Sequence, residues 1–281
     1  MRARVAAGDA PGLLGDTAQR DYSLKLSLFN AFAEPELRRT IDGLALRPGM
    51  RVLDAGCGTG EALEWLSHAV QPGGTVVGAE LSSAHAAIAR RKSGMDVWQG
   101  DVLEMPIAAE RFDLIWCVNT VNHLRDPLSG VKRLAAFSSR HGRIALGQSS
   151  FLPDMLFAWD ARLERSINDA VRAYYRDRYS LSERDLAKTR RLVGLLREAG
   201  LRGIQARTTV IERVTPLEPA AESYLLEAIF RGTWGPRLRP YLSEEDYAEL
   251  SRACDPEDGQ FALRRPDFHF LQTFSLVVGE I

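Results

Sequence analysis

Three acids, each closing a short apolar run, are the residues of this 281-residue chain best suited to hold a ligand. Asp54 follows Val52-Leu53, Glu80 follows Val76-Val77-Gly78-Ala79, and Asp101 follows Val97-Trp98-Gln99-Gly100. The loop after Asp54 is Ala55-Gly56-Cys57-Gly58-Thr59-Gly60, with glycines at alternate positions. Glycine lacks a Cβ and tolerates positive φ, so a ligand can approach the backbone of such a loop closely. The run is Gly-x-Gly-x-Gly rather than the dinucleotide Gly-x-Gly-x-x-Gly, and no Gly-Lys-Ser/Thr follows it as in a phosphate-binding P-loop. Glu80 stands twenty residues past Gly60, where an α/β nucleoside site places the carboxylate that accepts from ribose hydroxyls. A dinucleotide oxidoreductase needs that acid alone.

The full set, in its order and spacing over residues 45–150, resembles the class I S-adenosylmethionine-dependent methyltransferases. Within them it most resembles the small-molecule branch of ubiquinone and menaquinone biosynthesis and of secondary metabolism, whose members methylate carbon or oxygen of aromatic and polyketide-like acceptors. The resemblance implies S-adenosyl-L-methionine as cofactor and S-adenosyl-L-homocysteine as product. It implies that the loop of Asp54, Gly56, Cys57, Gly58 and Gly60 holds the methionine part. Glu80 would hold the ribose and Asp101 the adenine amino group, with Leu81, Gly100, Val102, Val118 and Asn119 completing the cofactor site. In this family Cys57 would serve as a small residue against the cofactor.

The elements that must position these residues alternate along the chain. Strands are expected at Arg51–Asp54, Thr75–Ala79, Met95–Gln99, Phe112–Val118 and Arg143–Gly147, with helices at Glu61–Ala69 and Ala84–Arg91, the latter capped by Ser82 or Ser83. Such alternation argues for a parallel sheet. Before it, Asp21–Leu44 reads as helical, with Pro35 dividing it into two helices, and residues 1–20 read as a mobile arm. After it come a helix over Pro153–Tyr175, another over Asp185–Ala199 ended by Gly200, a strand at Gly203–Val214, two helical stretches in 219–262, and a last strand at Phe268–Val278. The fold class is therefore α/β. The resemblance implies a Rossmann-like, seven-stranded, mostly parallel sheet with an antiparallel last strand and helices on both faces. Residues 21–44 form lid helices, and residues 151–180 and 219–262 are helical cap insertions over the substrate.

Composition excludes several other classes. Hydrophobic residues make up 45% and charged residues 26%, with a formal net charge of -1, so no global field favours nucleic acid or an anionic membrane. No apolar run approaches the ~20 residues of a spanning helix. The start lacks the apolar core of a signal peptide. Cys57, Cys117 and Cys254 show neither metal nor disulfide spacing. The expectation is a cytoplasmic protein without a metal, either monomer or homodimer.

The loop after the fourth strand, Val118-Asn119-Thr120-Val121-Asn122-His123-Leu124, lies at the switch point of the sheet. His123 is the candidate general base, because its unperturbed pKa suits proton abstraction near neutrality. The alternative reading is a histidine that only shapes the site. His141 and His269 read as structural, and His68 and His85 as solvated. Tyr22 and Phe29 in the lid and Trp159 and Tyr175 in the cap are candidate substrate contacts, since the insertions carry most of the large aromatics. An aromatic stripe of this kind can equally be plain core. Arg231, Arg237, Arg239 and the pair Arg264-Arg265 read as a solvated face. The function expected is methyl transfer to an apolar or aromatic small molecule. The alternatives are N-methylation of a small amine, or cofactor binding on this fold without transfer.

Overall fold

The computed structural model describes residues 23–109, 111–124, 126–150, 156–157, 160–179 and 191–281. Seven strands carry the fold: β1 (Arg51–Ala55), β2 (Thr75–Glu80), β3 (Val97–Gln99), β4 (Phe112–Val118), β5 (Ser138–Ser149), β6 (Arg202–Val214) and β7 (His269–Glu280). They lie side by side in the order β3-β2-β1-β4-β5-β7-β6. The first five are parallel, and β7 runs antiparallel to both β5 and β6. The two-residue segment Leu156–Phe157 continues the β5 lane, placing Leu156 opposite Leu271. The expected mostly parallel sheet with an antiparallel last strand is the one observed.

The central strands are apolar on both sides because helices cover both sides. On one face, Val52, Leu114, Trp116 and Ala145 pack beneath α1 (Ser23–Asp42), α2 (Glu61–Val70) and α3 (Ser83–Ser93). On the other, Leu53, Ile115, Ile144 and Leu146 meet α4 (Pro127–Phe137) and α6 (Leu192–Glu198). Between these, α5 (Ala161–Tyr179) follows the β5 lane. The β6–β7 connection is long and helical. It holds α7 (Pro219–Ser223), a π-helix over Tyr224–Trp234, α8 (Gly235–Leu238) and α9 (Glu244–Cys254).

Four expectations need correction. Pro35 does not divide the first helix, for α1 runs unbroken from Ser23 to Asp42 with Pro35 inside it. Proline removes one N–H from the helix ladder, but Phe32 and Ala33 before it and Leu37 and Ile41 after it are all buried in one core. Phe32 also stacks on Tyr224, with ring centroids 4.4 Å apart. Packing on both sides of the proline thus outweighs the missing bond. The fifth strand is longer than Arg143–Gly147, because β7 supplies partners from Glu280 opposite Arg143 to Phe274 opposite Ser149. The helix expected from Pro153 begins only at Ala161, where Asp160 caps it by accepting from the Leu163 amide at 2.8 Å. The π-helix was not expected at all. Of the helix expected over Asp185–Ala199, residues 192–198 are helical, residues 180–190 lying outside the described set. Tyr22 and Trp159, with the arm of residues 1–20, also lie outside the described residues. No described helix is long and apolar enough to cross a membrane.

Candidate functional site

The parallel register sets the three acids at one edge of the sheet. Asp54 lies opposite Gly78, two residues before Glu80, and Glu80 lies opposite Gln99, two residues before Asp101. The glycine loop turns sharply between them. Its first amides, of Gly56 and Cys57, both donate to the Ala79 carbonyl, at 2.8 and 3.1 Å. Gly56 has φ +84°, and a Cβ there would stand 2.3 Å from Thr120 Oγ1 of the loop after β4. Gly60 has φ +91°, and its Cβ would stand 2.9 Å from the Ala89 Cα of α3. Glycine at these positions is required by backbone conformation and by close approach together. Gly60 therefore joins two helices, while Gly58 turns its amide to the acid: Gly58 N donates to Glu80 Oε2 at 2.9 Å.

Glu80 accepts a second amide, from Ser82, on Oε1 at 2.8 Å. A carboxylate offers about four lone-pair sites, so two remain for hydroxyl donors. Leu81 beside it is 44% exposed, an apolar surface next to the acid. Asp101 is exposed and holds the Leu103 amide on Oδ1 at 2.9 Å. Gly100 precedes it at φ +146°, and Val102 after it is buried. His85, expected to be solvated, is instead buried, with Nδ1 3.9 Å from Glu80 Oε1.

Asp54 is 2% exposed, and its Oδ2 has no hydrogen-bond partner in the structure. Burial, reinforced by the charges of Glu80 and Glu61, pushes it up to about 8. An orphaned carboxylate oxygen in an acid-rich pocket fits a cationic ligand with N–H donors, which is what the sulfonium and ammonium of S-adenosylmethionine provide. Together with an acid that has spare acceptors for a ribose, the residues present fit this cofactor. The Cys57 thiol does not face the site: it lies 2.7 Å from where a Gly78 Cβ would be, within the core under Leu63, and burial raises its pKa strongly. Only the Cys57 backbone belongs to the loop surface.

In the loop after β4, Asn119 adopts a left-handed φ of +54°, which asparagine tolerates better than most residues. Its side chain is already used. Oδ1 accepts from Ser149 N at 2.8 Å and from Gln148 Nε2 at 2.9 Å, and Nδ2 donates to Ser149 Oγ at 3.2 Å. Asn119 thus locks the loop to β5, while the neighbouring Val118 is half-buried at the strand end. His123 ends a short 3-10 turn, half-buried, and burial pulls its pKa down to about 4. Its Nδ1 and the Oδ1 of buried Asn122 have no partners in the structure. A neutral histidine whose ring nitrogen is unpartnered is able to accept a proton or a hydrogen bond.

One residue that sequence reading passed over ties the site to its cover. Glu61, the first residue of α2, is 7% exposed. It accepts from Thr59 Oγ1 at 2.7 Å, Lys92 Nζ at 2.9 Å, Asn30 Nδ2 at 3.0 Å and Ser27 Oγ at 3.2 Å. Burial alone would raise its pKa, but the Thr59 and Lys92 bonds hold it below the usual carboxylate value. Ser27 and Asn30 belong to α1, whose Leu26 lies 3.3 Å from where a Gly58 Cβ would stand. So α1 covers the glycine loop. Phe29, half-buried on the same helix, meets Tyr224 of the π-helix edge-on at 5.8 Å. Tyr224 in turn donates to buried Gln272 of β7 at 3.3 Å. Tyr175 of α5 packs edge-on against Tyr174 at 5.6 Å, and Tyr174 against Tyr241 at 6.3 Å. The rings thus form two aromatic groups, one beside α1 and one beside α5.

This sheet order, glycine loop and series of strand-end acids are those of the class I S-adenosylmethionine-dependent methyltransferases, and the protein is a methyltransferase dependent on that cofactor. Residues 52–142 match the family model described as a methyltransferase domain. The chain is 28% identical to the methyltransferase GfsG of Streptomyces halstedii over 218 residues, covering 75% of this chain and 69% of that protein. It is 27% identical to the demethylmenaquinone methyltransferase of Beutenbergia cavernae over 210 residues, covering 71% and 85%. The crystal structure of YcgJ from Bacillus subtilis shares the fold with a TM-score of 0.51 at 18% identity, covering 93% of this chain and 98% of that one.

Proposed function

We propose that this methyltransferase acts on an apolar or aromatic small molecule, at carbon or oxygen. The observation that supports the reading is the supply of aromatic rings on the elements outside the sheet: Phe29 of α1 meets Tyr224 of the β6–β7 insertion, and Tyr174 packs with Tyr175 of α5 and with Tyr241 of that insertion. Aromatic side chains of this kind suit a compact apolar acceptor. The relative named a demethylmenaquinone methyltransferase supports the same class of acceptor.

In this reading Asp54 and the backbone of Gly56, Cys57 and Gly58 hold the methionine end of the cofactor. Glu80 holds the ribose, and Leu81, Gly100, Asp101 and Val102 hold the adenine. Gly60 keeps the loop against α3, and Val118 and Asn119 form the wall opposite. Bound S-adenosylmethionine supplies a methyl group activated by a positive sulfur, so the chain itself need only align the acceptor, exclude water and remove a proton. His123, neutral above about pH 4, is the group assigned to that proton, its buried Nδ1 being without a protein partner. Phe29 and Tyr175 are assigned to the acceptor.

The test is direct. The protein is incubated with methyl-labelled S-adenosylmethionine and phenolic, quinol and polyketide-like acceptors, and labelled product and S-adenosylhomocysteine are measured. Transfer to these supports the reading. Transfer confined to small amines, or cofactor binding with no transfer to any acceptor, overturns it.

A further inference from the structure

The seam between α1 and the π-helix brings two cations together without an acid. Lys25 stands in the first turn of α1, one residue before the leucine that covers Gly58. Its Nζ lies 3.5 Å from Thr233 Oγ1, too long to satisfy an ammonium with three donors. Arg237, in the turn after the π-helix, gives one N–H to the Gly232 carbonyl. Neither has a carboxylate partner among the described residues. Three other arginines of the insertion do: Arg231 pairs with Glu227 at 2.6 Å, Arg239 with Glu244 at 3.8 Å, and Arg265 with Asp267 at 2.7 Å. Water reaches both Lys25 and Arg237. Even so, the protein crowded around Lys25, with the like charge of Arg237 added, pulls its pKa down to about 8.

The backbone beneath them is a second, separate sign. The helix is wound as a π-helix up to Trp234. Thr233 Oγ1 donates to the Ala228 carbonyl five residues back at 2.9 Å, and a Cβ at Gly232 would stand 2.7 Å from the Glu227 carbonyl oxygen. Such turns are rare and recur at functional sites. Here the wide turn offers the Gly232 carbonyl to Arg237 and the Thr233 hydroxyl to Lys25, holding both cations on one seam beside the glycine loop. Like charges held this close repel, and an anion between them offsets the repulsion.

We propose that Lys25 and Arg237 bind a carboxylate of the methyl acceptor at this seam. The proposal rests on the reading of the protein as a small-molecule methyltransferase and narrows it: the acceptor is an aromatic or apolar acid, not a neutral ring compound. The planar guanidinium takes a carboxylate on two parallel N–H bonds, and the ammonium adds a point charge from the opposite wall. Because Lys25 comes from the lid and Arg237 from the cap, the same acid group also holds the two covers together over the site.

The experiment uses the full chain saturated with S-adenosylhomocysteine and titrated calorimetrically with 4-hydroxybenzoate, 4-hydroxycinnamate and 6-hydroxy-2-naphthoate, each against its carboxamide. The acid of at least one pair is expected to bind roughly tenfold or more tighter than its amide. In the double variant Lys25→Gln/Arg237→Gln that preference is expected to disappear while S-adenosylhomocysteine binds as before. Amides that bind as well as the acids, or a preference that survives the double variant, overturn the carboxylate site and leave the small-molecule reading intact. If S-adenosylhomocysteine binds but none of the probes does, both readings fall together.

Discussion

Asp54 is the residue whose chemistry depends most on its surroundings. Its folded-state pKa of about 8 lies above the unfolded carboxylate value, because burial and then Glu80 and Glu61 oppose its charge. The unfolded chain therefore binds fewer protons between about pH 4 and pH 8, and this group's contribution to stability falls as pH rises through that window. A cationic ligand reverses the preference by favouring the ionised form. Cofactor affinity is thus expected to rise with pH up to about 8 and then level off, with a proton released on binding below that point. Titration calorimetry at several pH values in buffers of different ionisation heat checks this, and Asp54→Asn should flatten the dependence. Glu80 acts differently, holding the Gly58 and Ser82 amides while keeping acceptors to spare. Hydrogen bonds to a charged group contribute about 1.5–3 kcal/mol, so Glu80→Ala should weaken S-adenosylmethionine binding roughly tenfold or more. Unchanged affinity in calorimetry would remove it from the ribose site.

At the scale of elements, the junction to watch is α1 on the start of α2. Four side-chain donors from α1, α3 and the glycine loop converge on the one carboxylate of Glu61. Removing a shared acceptor leaves each of those donors poorly satisfied. Glu61→Ala is expected to loosen the first half of α1, residues 23–34, where Ser27 and Asn30 lose their anchor. The second half is held separately by the Arg213–Glu36 ion pair at 2.9 Å and by buried Leu37 and Ile41. Hydrogen exchange should therefore quicken roughly tenfold or more before Pro35 and little after it, since a tenfold change corresponds to only about 1.4 kcal/mol of local opening. Equal protection in both halves would show that packing on Tyr224, not Glu61, keeps the helix closed.

For the molecule as a whole, the sheet edge and its covers divide the work. The loop and acids come from β1, β2 and β3, whereas Tyr175 comes from α5, far along the chain. If the covers select the acceptor, Tyr175→Ala should raise acceptor KM roughly tenfold while cofactor affinity stays within about threefold. A purely structural role would instead lower the thermal midpoint and weaken both ligands together. Steady-state kinetics beside a thermal melt separates the two outcomes.

The local signals in the sequence were enough for the sheet and its acids. Short apolar runs ending in Asp54, Glu80 and Asp101, separated by one glycine loop and two helix-length segments, argue for parallel strands, and the arrangement of the whole sheet is what the resemblance they carry implies. The register that sets Glu80 opposite Gln99 is given by the structure. What the sequence did not determine is every feature that depends on partners distant in the chain. Pro35 read as a break because the missing N–H is local, whereas the packing of Phe32 on Tyr224 that spans it joins helices far apart in the sequence. His85 read as solvated because its helix is polar, yet it lies against Glu80. Glu61 looked like an ordinary first-turn acid until Ser27, Asn30 and Lys92 closed on it. The meeting of Lys25 with Arg237 needs a π turn that helical periodicity alone does not reveal. Hydrophobic patterning acts over a few residues and is written in the sequence, whereas a buried charge takes its properties from whichever groups the tertiary fold brings within a few ångströms.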